Sequence, residues 1–333
     1  MKVLERLVLA QLRPQVRTFL DPLQFAYQPH LVIYLLQQAH MHLDGGGGTV
    51  RIAFFDFSSA FNTIQPLLMG EKLRVMGVDD TMISWITDYL TGRPQFVRLG
   101  SVLSDVVRFS EDSAVVGCIR GGEEGEYRTL VDNFVEWSEQ NHLRLNVNKT
   151  REMVIDFGRK KRMPSQPLRI RGEVVEEVED YKYLGVVIDN RLDWKSNTEA
   201  VYKKGMSRLF PEDAEIFQRM LEIFYQSVVA SAIFFAAVCW CSSIRASDTN
   251  RLDKIIKKAG SVLGLRLESF ESVVERRTLK KLLSIIDNDQ HPLHHTVVRQ
   301  RSTFSHRLLQ LRCRRDRYRK SFMPHAITLY NNS

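Results

Sequence analysis

The chain has 333 residues, 44% hydrophobic and 26% charged, an ordinary globular balance that argues against disorder and leaves room for two or three domains. The net charge is +8, but it is unevenly placed: residues 251–333 carry 18 Lys/Arg against 7 Asp/Glu, so the first 250 residues are slightly acidic. A basic segment of this kind suits a polyanion, because cations that neutralise phosphates release counterions; a solvated helical surface is the alternative.

Four cysteines (Cys118, Cys239, Cys241, Cys313) form no C-x-x-C pair and read as reduced thiols of an intracellular protein, nuclear or cytoplasmic. Met1–Ala10, charged at Lys2, Glu5 and Arg6, does not read as a signal peptide.

In chain order, Leu31–Leu43 is helix-like, and Gly45–Gly48 links it to an apolar strand, Val50–Phe55. Leu67–Met76 has apolar spacing of three and four, and Asp79–Asp80 can cap a helix over Thr81–Leu90. Phe96–Leu99 and Ser113–Ile119 read as strands. Glu123–His142 reads as an amphipathic helix with Leu130, Phe134 and Trp137 on one face. Strand-like runs follow at Leu143–Val147, Glu152–Phe157 and Tyr181–Ile188, with a basic loop, Gly158–Pro167, among them. Its cluster Arg159–Arg162 reads either as a nuclear-import signal or as a charged hairpin tip. From Lys195 the pattern is helical. Ile223–Cys241 approaches the length of a membrane span, but Gln226, Ser227 and Ser231 interrupt it, so a buried helix and no membrane partner are expected. The order of elements argues α+β, with a boundary near residue 195.

Two segments carry candidate chemistry. In Arg51–Phe61 (RIAFFDFSSAF) an apolar strand ends in Asp56, and in Phe109–Asp112 two adjacent acids precede another apolar strand. Side by side, such strands gather carboxylates, and clustered carboxylates call for a cation such as Mg²⁺. Two such ions serve phosphoryl or nucleotidyl transfer. A strand-end Asp is also a common turn residue.

The runs Asp21–Tyr27 (DPLQFAY), FFDFSSAFNTI, FSEDSAVV, LRLNVNKT and YKYLGVVID resemble, in this order, the blocks of LINE-type reverse transcriptases of non-LTR retrotransposons, jockey/CR1-like elements above all. The resemblance runs from about Leu4 to the C-terminus. It implies a palm and fingers of mixed helices and antiparallel sheet over 1–194, and a helical thumb with a basic extension over 195–333. It implies RNA-directed DNA polymerase activity on an RNA template and DNA primer with dNTPs, using two Mg²⁺ ions (or Mn²⁺). Asp56, Glu111 and Asp112 would bind metal, with the Phe57 carbonyl as a further ligand. Phe61 would gate against the ribose 2′-hydroxyl, Lys149 would assist pyrophosphate departure, and Tyr183-Leu184-Gly185 would grip the primer.

The chain departs from that pattern in ways that predict an inactive, truncated copy. Glu111 replaces the principal second ligand, and a misplacement of about 1 Å can cost on the order of a hundredfold in rate. The Gly-Ala-Pro-Gln-Gly block expected between Asp56 and Glu111 is missing. Gln28 and His30 replace an arginine and a glycine of the fingers, and a shorter deletion falls near Phe210–Pro211.

A second reading is a non-catalytic nucleic-acid-binding relic. In Arg312–Lys320 (RCRRDRYRK), Arg312, Arg314, Arg315, Arg317, Arg319 and Lys320 suit phosphates, and Tyr318 suits a stacked base. The group His291, His294, His295 and Cys313 lacks the spacing of a zinc site and reads as surface histidines. Tyr202–Cys241 resembles a segment shared with the N-terminal part of AlkB-like tRNA-modifying proteins, a remote third reading, but that segment holds no histidine, whereas a dioxygenase site needs two histidines and a carboxylate.

Overall fold

The computed structural model describes residues 2–16, 19, 30–46, 48–58, 65–91, 96–99, 102–105, 113–158, 166–209 and 218–333. Over these the molecule is mixed α+β. Two helices, α1 (Lys2–Val16) and α2 (His30–Asp44), precede strand β1 (Gly48–Phe55). Next come α3 (Pro66–Val75), α4 (Asp80–Leu90), the pair β2 (Phe96–Leu99) and β3 (Val102–Asp105), and β4 (Ser113–Arg120). Helix α5 (Gly125–Gln140) leads to β5 (Arg151–Ile155), then to the short strands β6 (Arg169–Ile170), β7 (Glu173–Val174) and β8 (Glu176–Glu177), and to the hairpin β9 (Asp180–Tyr183) and β10 (Val186–Asp189). Helices follow: α6 (Lys195–Met206), α7 (Gln218–Phe224), α8 (Ser231–Ile233), α9 (Ala246–Leu263), α10 (Phe270–Ile286), α11 (His294–Val298), α12 (Asp316–Arg319) and α13 (Phe322–Asn332).

The main sheet has the order β4-β1-β5-β8, with β1 antiparallel to both neighbours. Alternation along β1 sorts its side chains to two faces. Val50, Ile52 and Phe54 enter a core made with α2, the β9–β10 hairpin and the C-terminal helices, while Ala53 and Phe55 enter a second core under α5. Each fully buried aliphatic or aromatic side chain of this kind contributes about 1.5–3 kcal/mol. The larger core includes Val32 and Ile52 as well as Ile255, Leu282 and Ile327, so one apolar cluster runs across residue 194.

Asp79 caps α4, accepting the amides of Thr81 and Met82 at 3.0 and 3.3 Å. Helix α5 buries a different stripe from the expected one. Tyr127, Val131 and Ser138 face inward with Phe134, whereas Leu130 and Trp137 are exposed. The rotation follows from Gly117 of β4, where a Cβ would lie 2.5 Å from the Tyr127 ring; the bare backbone lets that ring cross close to the sheet. Leu143–Val147 is not a strand: only Leu145 bridges, to Phe57, because the chain turns at Asn146, whose carbonyl accepts the amides of Lys149 and Thr150.

The run Tyr181–Ile188 folds back on itself. Leu184 (φ 47°) and Gly185 (φ 82°) form a two-residue turn with both φ positive, matched to strand twist. A Cβ at Gly185 would also come within 2.9 Å of the Phe235 ring. The turn after β10 is built on Asp189, whose buried carboxylate accepts the amides of Arg191, Asp193 and Trp194 at 2.9, 3.2 and 3.0 Å.

Ile223–Cys241 is not one helix. α7 passes into a π-helical turn over Tyr225–Ala230, α8 ends at Ile233, and Ala236 takes a left-handed φ of 47° before two 3-10 turns. Arg219–Cys239 is long and apolar enough to cross a membrane, and half of its apolar window is buried inside the protein. His291 is buried, its Nδ1 accepting the Leu293 amide at 3.1 Å, so it is not a surface histidine.

Candidate active site

The C-terminal end of β1 gathers several of the expected residues. Asp56 follows directly on the buried strand, with its side chain 25% exposed. Its backbone carbonyl accepts the Asn146 amide at 2.9 Å, and the Ser58 amide donates to the Arg144 carbonyl at 2.8 Å. These two bonds form the Phe57–Leu145 bridge and leave the Phe57 carbonyl out of it. In an antiparallel ladder successive residues turn their polar groups to alternate sides, so the Phe57 carbonyl is directed to the β4 side.

The turn at Asn146 presents Lys149 to Asp56, with Nζ 3.8 Å from Oδ2. The two residues are far apart in sequence and are joined only through this bridge and turn. The Asp56 Oδ2 atom is buried and has no hydrogen-bond partner among the described residues. Lys149 sits just beyond hydrogen-bond reach, and its head is 70% exposed. An open oxygen of this kind is the donor chemistry a hard cation takes, and Mg²⁺ accepts carboxylate and carbonyl oxygens alike. Asp56 and Phe57 therefore fit a metal as far as two ligands go.

Glu111, Asp112 and Phe61 lie outside the described residues, as do Phe109 and most of the basic loop Gly158–Pro167. The described part of β4 begins at Ser113, directly opposite Phe55. No group of three or more His, Cys, Asp or Glu suited to a metal occurs among the described residues.

The β9–β10 hairpin lies against the same end of the strand. Tyr181 stacks on Phe54 with ring centroids 4.4 Å apart, and Tyr183 tilts against it at 5.1 Å. The Tyr183 ring is fully buried, Leu184 is partly buried on the larger core, and Gly185 turns against Phe235. Of the expected primer-gripping residues, Tyr183 is thus a core side chain, and the turn itself is seated on the helical region.

A buried charged group in the middle of β1 is not foreseen from the motifs. Arg51 of β1 donates from Nε and Nη2 to the two Glu152 oxygens at 2.8 and 2.6 Å, and its Nη1 lies 2.6 Å from Glu124. Arg128 closes the chain on Glu124 at 2.8 Å, and Tyr127 donates to Glu152 at 2.8 Å. The two positive and two negative charges cancel, which is what makes their burial tolerable. Burial would pull the Arg51 guanidinium down, but Glu152 and Glu124 hold it above its ordinary value. Burial, and then the Glu152 charge, push the Tyr127 hydroxyl well up. The signal in the sequence is a lone arginine in an apolar strand, with no indication of its partner 101 positions away.

The basic segment 312–320 lies at the opposite end of β1. Asp44, at the end of α2 and 6% exposed, accepts the amides of Arg314 and Arg315 at 2.8 and 2.6 Å. The Tyr318 ring is turned inward, 5% exposed; it receives a hydrogen bond from Gln37 at 2.9 Å and stacks near His40. It is therefore not open to stack on a base, which corrects the sequence expectation. An open ring does occur earlier in the basic region: Phe304, 97% exposed, in the turn closed by the Arg301–Leu308 bridge. Arg317 stacks over Phe157 at 4.3 Å, and Arg319 pairs with Asp316 at 2.5 Å. Arg312, Arg314, Arg317, Arg319 and Lys320 are exposed.

Compared with known proteins, the chain matches no protein-family model and no curated protein.

Proposed function

We propose that the chain is a reverse-transcriptase-type palm and fingers joined to a helical thumb and basic extension, descended from an RNA-directed DNA polymerase and inactive in this copy. The observation that carries the reading is the Asp56–Lys149 pair. Motif blocks that imply a metal-binding aspartate and a pyrophosphate-assisting lysine come together at 3.8 Å, and the aspartate has an oxygen with no hydrogen bond among the described residues.

In this reading Asp56, the Phe57 carbonyl, Glu111 and Asp112 hold the cations, Mg²⁺ or Mn²⁺. When bound, two such ions supply the charge that eases loss of the primer hydroxyl proton and departure of pyrophosphate. Lys149 stands where its ammonium can meet a leaving phosphate. The longer side chain of Glu111 and the missing block between Asp56 and Glu111 are the grounds for inactivity.

Mn²⁺ binding followed by electron paramagnetic resonance tests the site. Binding in the wild type that is lost in Asp56→Asn is the expected outcome, and binding indifferent to that change would remove the metal-site reading. Primer extension on an RNA template, beside Asp56→Ala, tests the chemistry. No extension by folded protein is expected; extension that vanishes in the control would overturn the inactivity.

A further inference from the structure

We infer that residues 312–320 form a built phosphate-binding ledge that holds a nucleic-acid strand at the end of the sheet remote from Asp56. Three observations support it, and none involves the polymerase residues.

The first is position. Asp44, which clips the segment by the amides of Arg314 and Arg315, leads through Gly46 into Gly48, the first residue of β1. Phe157, under Arg317, follows the end of β5 where Ile155 pairs with Val50. Both anchors lie at the start of β1, while Asp56 follows its last residue. At about 3.3 Å per residue the two ends are about 26 Å apart.

The second is fixation. Besides Asp44, the Arg314 guanidinium donates to the Gly45 carbonyl at 3.3 Å, Tyr318 is pinned by Gln37, and the hydroxyls of Ser242 and Ser243 donate to the Lys320 carbonyl. A cationic segment held in place loses little conformational entropy when it meets its partner.

The third is charge left over. The segment has five arginines and one lysine against one aspartate, and Asp316 is engaged by Arg319. Among the described residues no carboxylate pairs with Arg312, Arg314, Arg317 or Lys320. The buried Asp44 spends its oxygens on backbone amides rather than on these heads. Exposed guanidinium forks suit phosphate oxygens. A strand of nucleic acid fits better than an anionic bilayer, because interfacial segments insert an apolar face and the one aromatic ring of this segment, Tyr318, is turned inward.

The test is fluorescence anisotropy of a labelled 20-nucleotide single-stranded RNA titrated with the full chain over a salt series in EDTA. The variant carries Arg312→Gln, Arg314→Gln, Arg317→Gln and Lys320→Gln. It is expected to bind at least about tenfold more weakly and to flatten the log–log salt slope by about 3, at about 0.7 per phosphate contact on a single strand. EDTA strips divalent cations from the Asp56 end, which separates the ledge from the polymerase reading. An unchanged slope and affinity in the folded variant would overturn the inference. So would wild-type protein that binds phosphatidylserine vesicles and not the RNA. Should the fourfold variant lose its near-ultraviolet circular dichroism, Arg312→Gln with Lys320→Gln replaces it, with a slope change of about 1.4 expected and no change overturning the proposal.

Discussion

Two aspartates bracket strand β1, and the structure treats them in opposite ways. Asp44, before the strand, is buried with both oxygens receiving backbone amides of the distant segment 314–315. Asp56, after the strand, keeps one buried oxygen without a hydrogen bond among the described residues and faces a lysine head at 3.8 Å. A carboxylate whose acceptor sites are filled by amides is part of the frame, and removing it strands donors that cannot reach water. A carboxylate oxygen that no described group meets contributes little to folding. Between them the Arg51–Glu152 pair holds the middle of the strand in place.

The comparison can be broken in four places, from the largest expected effect downward. Arg51→Met leaves the Glu152 charge buried without its partner, and urea denaturation should record a loss of about 3–5 kcal/mol. A loss below about 1 kcal/mol would mean that the network is not a closed unit. Asp44→Ala strands two amides and should cost about 3 kcal/mol, with proteolysis opening first within 312–320. Unchanged protease resistance there would remove Asp44 from its role as the clip.

The third place is His40, in α2 beside Tyr318. Burial, with help from Arg317, depresses its pKa to about 4 from 6.5, against the opposing pull of Asp44. The unfolded chain therefore takes up a proton before the folded one does. Stability is fully present above about pH 6.5 and is lost as pH falls towards 4, by up to about 3 kcal/mol. Melting temperatures from pH 7.5 to 4.5 should fall more steeply in the wild type than in His40→Leu, and parallel curves would refute the assignment. The smallest effect is Asp56→Asn, expected to change stability by less than about 1 kcal/mol because, among the described residues, it removes only an exposed lysine contact. A loss above about 2 kcal/mol would make Asp56 a frame residue like Asp44.

Much of this arrangement was legible in the sequence, and the misses have physical causes. Strand β1 and the Asp79 cap follow from local pattern. The α5 stripe was misplaced because hydrophobicity alone favours Leu130 and Trp137, whereas packing through Gly117 selects Tyr127 and a polar Ser138. Tyr318 looked like a stacking ring because its neighbours are cations, but its partner Gln37 lies 281 positions earlier. Arg51 and Glu152 each look like surface charges, and only the strand register Arg51–Val154 beside Ala53–Glu152 brings them together on one buried face. Ile223–Cys241 read as one helix because composition does not reveal a left-handed Ala236.

The joining of α2 to residues 314–318 also bears on how the molecule is made. Ribosomes add about 5–20 residues per second, so Asp44 and Gln37 emerge roughly 15–55 s before the partners that cover them. Throughout that interval the apolar face of α2 has the sheet but not the final helices to lie against. A nascent chain interrupted before Arg314 would leave its first well-packed helix without that cover, and chaperone dependence should rise sharply at that point.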